Sequence, residues 1–420
     1  MRYKPKVADL YAGAGGFGLG FHFAGYGVVF SLEIDKWAVD TLRANNQEDT
    51  IIVEGDIRDY RSPTVIRETC GEAPDVIIGG PPCQGFSIAG PAQKDPKDPR
   101  NSLFKDFARW VECLEPQVFV MENVKGILSR QNAKGEKVIE IIEDTFFKLE
   151  YSVEIWRLNA AEYGVPQIRE RVFIVGNRRG ITLGEPPRTH HRPSQNGNGV
   201  QMRAHESEDF LRAVSVREAI LDLPEIKAGE GSEEQFYTKG PQTDYQRWAR
   251  GEQETLYNHV AMKHTERLVE RFKQIQWGQS VVDVPEPHRA RKRSGNGEKS
   301  GVVYDSNNRR LDPGRPSFTI PAHFYSSFIH PYQHRNITAR EAARLQSFPD
   351  SYQFMGKRTV VSRRLLEQLG RHDENYLSQY NQIGNAVPPL LAKAIAEHIR
   401  PVLQQEEVGS SDISNELATK

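Results

Sequence analysis

Cys83 is the residue of this chain best placed to act as a nucleophile. It lies in G-G-P-P-C-Q-G-F-S, Gly79 to Ser87, with two prolines before it and a glycine close behind. Such neighbours make poor core filler but a rigid loop that presents a thiol. The thiolate is the attacking species, and it needs an electropositive surrounding or an adjacent base. Glu122, 39 residues further on, interrupts the apolar run V-F-V-M-E-N-V. A carboxyl buried there can stay protonated and act as a donor. Arg169 and Arg171 alternate with other residues in Q-I-R-E-R-V-F-I-V-G, so they share one face of a strand start. Two guanidinium groups on one face bind a carbonyl oxygen or a phosphate. The other two cysteines, Cys70 and Cys113, sit in apolar or helical settings and read as buried hydrophobes. Cysteine separations of 13 and 30 residues fit no zinc-ligand spacing, so no metal is expected. An odd, sparse count argues for a reducing compartment, the cytoplasm.

A second group of residues has the pattern of a cofactor loop. D-L-Y-A-G-A-G-G-F-G-L-G, Asp9 to Gly20, contains Gly13-x-Gly15-x-x-Gly18 between a strand and a helix. Glycines there let the backbone approach a ligand closely. Glu33 closes the next strand, where it could hold a ribose hydroxyl, and Asp56 closes the third. Carboxyl ends of strands are where open α/β sheets bind ligands. On these residues alone NAD, FAD and S-adenosylmethionine all fit.

The elements that must carry these residues are legible over the first 180 or so positions. V-A-D-L-Y, V-V-F-S-L-E, I-I-V-E-G-D, D-V-I-I-G-G and Q-V-F-V-M-E-N read as strands, separated by helical periods. S-V-E-I-W-R-L-N and R-V-F-I-V-G-N add two more. Short β-rich runs between helices indicate an α/β fold, a parallel sheet with helices on both faces. After about residue 180 the apolar runs become short and irregular, and 186–203 is rich in Pro, Asn and Gly. The 420 residues suggest roughly two or three domains.

Basic and acidic residues number 55 and 56, which excludes a polybasic protein drawn onto nucleic acid by total charge. The distribution is uneven. Residues 1–125 hold 14 basic and 18 acidic side chains, a net of −4, whereas 260–345 hold 15 and 8, a net of +7. The mean hydropathy of −0.61 and the lack of a long apolar run argue against a membrane span. M-R-Y-K-P-K-V-A-D-L-Y-A-G has no apolar core of a secretory signal.

In combination these motifs resemble the bacterial cytosine-5 DNA methyltransferase family. The resemblance covers residues ~7–178 and ~305–400, about two-thirds of the chain. D-L-Y-A-G-A-G-G is similar to the family's cofactor loop, with Tyr11 where Phe is usual, and G-G-P-P-C-Q-G-F-S resembles its nucleophile loop. D-P-R-N-S-L-F (98–104), Glu122-Asn123-Val124, Gln167 to Arg171, T-A-R-E-A-A-R-L-Q-S-F-P-D (338–350) and Q-I-G-N-A-V-P-P (382–389) follow in family order.

The resemblance implies a Rossmann-like S-adenosylmethionine-dependent sheet over 1–185 and a smaller, irregular target-recognition domain over 186–375. A segment over 376–405 is expected to return to the catalytic domain, ahead of a disordered tail at 406–420. It implies cofactor contacts at Tyr11, Gly13, Gly15, Gly16, Glu33, Ile34, Asp56, Ile57, Pro81, Leu103, Asn385 and Ala386. DNA contacts are expected at Gln84, Ser87, Arg289, Arg291, Lys292 and Arg293, the last four from the densest basic cluster. Cys83 would attack carbon 6 of a flipped cytosine, and Glu122 would hold ring nitrogen 3 and the exocyclic amine. Arg169 would bind the ring oxygen, and Arg171 would position the thiol or support the pocket. The expected substrate is double-stranded DNA, with the enzyme a monomer beside a separately acting restriction endonuclease. A tRNA cytosine-5 methyltransferase on the same scaffold is the alternative, disfavoured because no cysteine follows Cys113. Residues 361–377, between the last two family elements, read as an insertion or a lengthened helix.

Overall fold

The computed structural model of the chain describes residues 3–46, 50–82, 103–132, 134–191, 210–286, 288–289, 305, 307–359, 366, 368–371 and 376–404. The first half alternates strand and helix: β1 (Lys6–Leu10), α1 (Gly16–Phe23), β2 (Gly27–Glu33), α2 (Lys36–Ala44), β3 (Ile51–Glu54), α3 (Pro63–Cys70) and β4 (Val76–Gly79). It continues through α4 (Leu103–Leu114), β5 (Val118–Asn123), α5 (Val138–Phe147), β6 (Ser152–Asn159) and β7 (Glu170–Asn177). Among the described residues these strands form one seven-stranded sheet in the order β3-β2-β1-β4-β5-β7-β6.

Alternation along each strand sends side chains to opposite faces. Ile77, Phe119 and Met121 pack with Phe107, Trp110 and Phe146 of α4 and α5 on one face. Val76, Ile78, Val118 and Val120 pack on the other with Phe17 and Phe21 of α1 and with Leu391, Ile395 and Ile399 of the terminal helix Pro389–Gln404. Each such buried side chain contributes about 1.5–3 kcal/mol. Gly20 allows the terminal helix this close approach, because a Cβ there would stand 2.3 Å from the Ala392 Cβ.

The expectation of a parallel sheet needs one correction. β7 runs antiparallel to both β5 and β6. Residues 160–169 are too few for the helical crossover that a parallel neighbour requires, so the chain turns back on itself. As a result β7 begins at the edge where β1, β4 and β5 end.

The second half is built from short elements: α6 (Val216–Ile220), β8 (Gly231–Phe236), α7 (Asp244–Arg250), β9 (Thr255–Val260), α8 (Glu266–Lys273), β10 (Arg309–Arg310), β11 (Phe328–Ile329) and α9 (Ala339–Leu345). β8 and β9 pair antiparallel, and β10 and β11 parallel. A core that includes Val216, Leu256, Leu311, Phe348 and Tyr380 joins these elements to Ala14 of the glycine loop. Residues 361–377 lie for the most part outside the described residues.

The centre of this half is charged. α9 begins with a capping box, Thr338 and Glu341, and all seven of its residues are buried. Arg344 reaches Asp222 at 2.9 Å and Asp350 at 2.6 Å, and Arg335 reaches Glu341 at 2.6 Å. Burial alone would raise Glu341 and Asp350, but the adjacent arginines outweigh it and hold both below the usual carboxylate range. Burial pushes His330 down to about 3 despite nearby Glu341. Its Nδ1 accepts from the amides of Tyr332 and Gln333, so it stays neutral.

These shifts act in the same direction on acid stability. The unfolded chain takes up a proton at His330 near pH 6.5, the native one only near 3, so stability falls as pH drops between those values. The carboxylates add a further loss at lower pH. His330 alone should remove about 2 kcal/mol by pH 5. Urea unfolding of wild type and His330→Asn, which keeps an acceptor, should show the variant losing less stability between pH 7 and 5. Equal losses would contradict this account.

Candidate active site

The carboxyl edge of the sheet collects the residues that the sequence singled out. Gly15 caps α1 in the left-handed region at φ 76°, which a side chain rarely adopts. The chain then turns into α1 with Gly16 against the C-terminal segment, where a Cβ would meet the Val387 carbonyl at 2.5 Å. Glu33, at the end of β2, lies under this turn. Its Oε2 accepts from the Gly13 amide at 2.8 Å, and its Oε1 from the amides of Ile34 at 2.9 Å and Asp35 at 2.8 Å. Burial raises its pKa against these hydrogen bonds.

Space stands open over Gly13, where an added Cβ would meet nothing within 4 Å. Ile34 beside it is 61% exposed although apolar. Tyr11 donates its hydroxyl to the Leu103 carbonyl at 2.8 Å, which joins two expected cofactor residues on different elements. Asp56 ends the turn after β3 and is held ionised by Arg58, while Ile57 is buried next to it. Asn385 is exposed and Ala386 buried at the end of the helix Gln379–Asn385. A buried carboxylate, an exposed apolar side chain and open room over a glycine fit a nucleoside-bearing cofactor.

β5 and β7 bring the polar pair together. Arg171 Nε meets Glu122 Oε1 at 2.9 Å, with both side chains mostly covered. Gly80 lies against the same carboxylate, since a Cβ on it would come 3.2 Å from Glu122 Oε2. Asn123 donates to the Pro81 carbonyl at 3.4 Å. The chain entering the nucleophile loop is thus held beside Glu122, three residues ahead of Cys83. Cys83, Gln84, Ser87, Arg291, Lys292 and Arg293 lie outside the described residues. Arg289 is half-exposed and donates to the Val284 carbonyl at 3.1 Å. Burial pushes the Cys70 thiol up to about 12 and raises Cys113, so neither forms a ready thiolate at neutral pH.

Arg169, expected to bind a ring oxygen, is turned inward in the structure. Its guanidinium is fully buried and donates to the carbonyls of Ile320 at 2.9 Å, Gly384 at 3.0 Å and Ala386 at 3.2 Å. Both terminal nitrogens are thus taken up by backbone carbonyls, and its buried Nε has no hydrogen-bond partner among the described residues. Burial drives its pKa well below the ordinary value, aided by Arg171 and opposed by Glu122. Strand alternation put both arginines on one face, but only Arg171 reaches Glu122. Gln167 and Gln346 lie within the quoted motifs, but the sequence assigns neither a role. Gln167 Nε2 bonds Gln346 Oε1 at 2.5 Å, its Oε1 accepts from the Ile320 amide, and Gln346 Nε2 donates to the Ile383 and Ala386 carbonyls. Asp9 was likewise passed over. Its Oδ2 holds the Gly18 amide at 3.1 Å, and burial pushes its carboxyl up to about 8.

Comparison with known proteins agrees with this geometry. Residues 5–400 match the family described as C-5 cytosine-specific DNA methylase. The chain belongs to this family. Among curated relatives, it is 47% identical to the Type II methyltransferase M.DdeI of Desulfomicrobium norvegicum, over 94% of this chain and 88% of that one. It is 34% identical to the Type II methyltransferase M1.HphI of Haemophilus parahaemolyticus, over 93% and 85%. Among solved structures, a DNA modification methyltransferase encoded within an E. coli prophage superposes with a TM-score of 0.68 at 25% identity, covering 95% of this chain and 99% of that one. Within the described residues of this methylase, no helix is long and apolar enough to cross a membrane. No cluster among them could hold a metal ion.

The two arginines should separate in experiment. Arg169→Gln leaves buried carbonyls without donors and should lower the unfolding free energy by about 3 kcal/mol or more. Arg171→Gln should change it by less than about 1 kcal/mol yet slow DNA methylation by about a hundredfold. Denaturant titration and a methyl-transfer assay on both variants decide the matter; equal stability losses would undo the distinction.

Proposed function

We propose that this DNA cytosine-5 methyltransferase acts by covalent catalysis on a cytosine extruded from double-stranded DNA, as the protective half of a restriction–modification system. The observation that carries the reading is the Arg171–Glu122 pair at the sheet edge, held against Gly80 at the entry of the Cys83 loop. The target atom is unreachable inside a stacked duplex, so the base must leave the helix. In the extruded base, Glu122 faces ring nitrogen 3 and the exocyclic amine, and Arg171 faces the ring oxygen. Cys83 adds through its thiolate to carbon 6, which turns carbon 5 into an enamine-like nucleophile. Glu122 supplies the proton at nitrogen 3 that neutralises the adduct. When bound, S-adenosylmethionine supplies the methyl group taken up at carbon 5. A water then removes the carbon 5 proton, nitrogen 3 returns its proton to Glu122, and the Cys83 thiolate leaves as the ring regains its aromaticity.

Glu33, Ile34, Asp56 and the turn from Tyr11 to Gly16 are the proposed cofactor residues, with Pro81, Leu103, Asn385 and Ala386 around them. We assign residues 1–185 to catalysis, 186–375 to target recognition and 376–405 to the returning segment. The relatives named as Type II methyltransferases support a partner endonuclease acting separately on the same DNA sequence. We take the chain to act as a monomer, and its sparse, unpaired cysteines support a reducing compartment, the cytoplasm.

Bisulfite sequencing of DNA from cells with and without the gene maps the methylated sequence. On a duplex carrying that sequence, Cys83→Ala should keep S-adenosylmethionine binding and lose methyl transfer by a factor of at least about 10⁴. A duplex with 5-fluorocytosine at the target should trap the wild type covalently and leave Cys83→Ala untrapped. Normal methylation by the variant would refute the covalent route.

A further inference from the structure

Phe318 lies in a segment of the second half that is stitched onto the strand carrying the arginines. The Ser317 amide donates to the Pro166 carbonyl at 2.9 Å, and the Ile168 amide to the Ser317 carbonyl at 2.8 Å. The Thr319 hydroxyl donates to the Ile168 carbonyl at 2.7 Å, and the Ile320 carbonyl receives Arg169. Residues 166–168 come just before β7, which enters the sheet at the edge where β4 and β5 end. The pairing therefore places 317–319 on the side of the sheet where Glu122 ends β5 and Arg171 begins β7. Ser317 and Ile320 are buried, but Phe318 between them is 45% exposed.

The ring is also held in place. Arg309 lies over it, 4.8 Å from its centroid, and is anchored in turn by the Gly278 carbonyl at 2.8 Å and by Asp305. A large apolar side chain kept in water, backed by a cation and carried on a segment bonded to the approach of β7, is built to meet a flat apolar face. Other exposed aromatics, Trp277 and Tyr332, pack on each other at 5.7 Å and use their polar tips on the Pro331 carbonyl and Arg217. Their backbone is not bonded to β7 or its approach in the same way.

We propose that Phe318 inserts into the duplex and fills the space left by the extruded cytosine, stacking between the bases on either side. The proposal rests on the base-extruding reading above. Extrusion strips stacking from two neighbouring base faces, and an aromatic ring of similar thickness restores it, as apolar wedges do in bent DNA. Stacking a base on an aromatic side chain changes affinity by about fivefold to a hundredfold. Arg309 serves as the positioning residue that keeps the ring turned toward the duplex.

The test uses the full chain and three duplexes: one carrying the mapped sequence with 2-aminopurine at the target position, one abasic at that position, and one lacking the sequence. Phe318→Ala should bind the first two about tenfold or more weaker, bind the third as wild type does, and give less 2-aminopurine brightening. Phe318→Trp should restore binding and brightening, and unchanged melting curves show that both variants fold. Equal weakening on all three duplexes, or none, would overturn the proposal. If wild type itself neither brightens 2-aminopurine nor prefers the abasic duplex, the base-extruding reading falls and the proposal with it; brightening by wild type with an indifferent Phe318→Ala sinks the proposal alone.

Discussion

The buried guanidinium of Arg169 is the joint on which the arrangement of the active site depends. It stands one residue ahead of β7 and binds the carbonyls of residues 320, 384 and 386, which come from two segments far along the chain. A cation in such a place is costly to desolvate, and it persists only where neutral acceptors surround it in good geometry. The Gln167–Gln346 contact repeats the connection one step earlier on the same chain segment. Because β7 is pinned at this end, Arg171 two residues later meets Glu122 on β5, and the glycine loop is backed by the same C-terminal segment.

A related constraint holds the second half together. Its strands and helices are short, and buried ion pairs join its apolar core in fixing the arrangement. α9 carries Arg340 and Arg344 into the interior, where Arg340 binds the carbonyls of Tyr257, Pro349 and Tyr352 and Arg344 binds Asp222 and Asp350. Arg340 ties β9 to the loop after α9, and Arg344 ties the turn after α6 to the same loop. Satisfied networks of this kind hold one arrangement rigidly. Phe318 and its neighbours are held separately, by the backbone of residues 166 and 168 and by Arg169.

The first half of the fold was legible because its signals are local. Apolar runs, a glycine turn and acidic strand ends mark β1 to β5, and the sheet contains them. The reversal of β7 was not legible from strand character, since V-F-I-V-G serves either direction; only the short link 160–169 hinted at it. The second half read as irregular because hydrophobic periodicity does not register a helix such as α9 that buries arginines and glutamate. The site was read unevenly for the same reason. Glu122 announced itself by breaking an apolar strand, but Arg169 and Arg171 look alike in sequence, and nothing local tells which one is consumed by distant carbonyls.

The sequence by itself determined the family and, through it, the reaction, because those rest on motifs whose parts are neighbours in the chain. The tertiary structure decided which arginine faces the carboxylate and which is structural. It also decided which part of the second half lies over the sheet edge. Those outcomes depend on hydrogen bonds between residues 150 to 220 positions apart, such as Arg169 to Ile320 and to Ala386, and such partners are set by packing rather than by any local pattern.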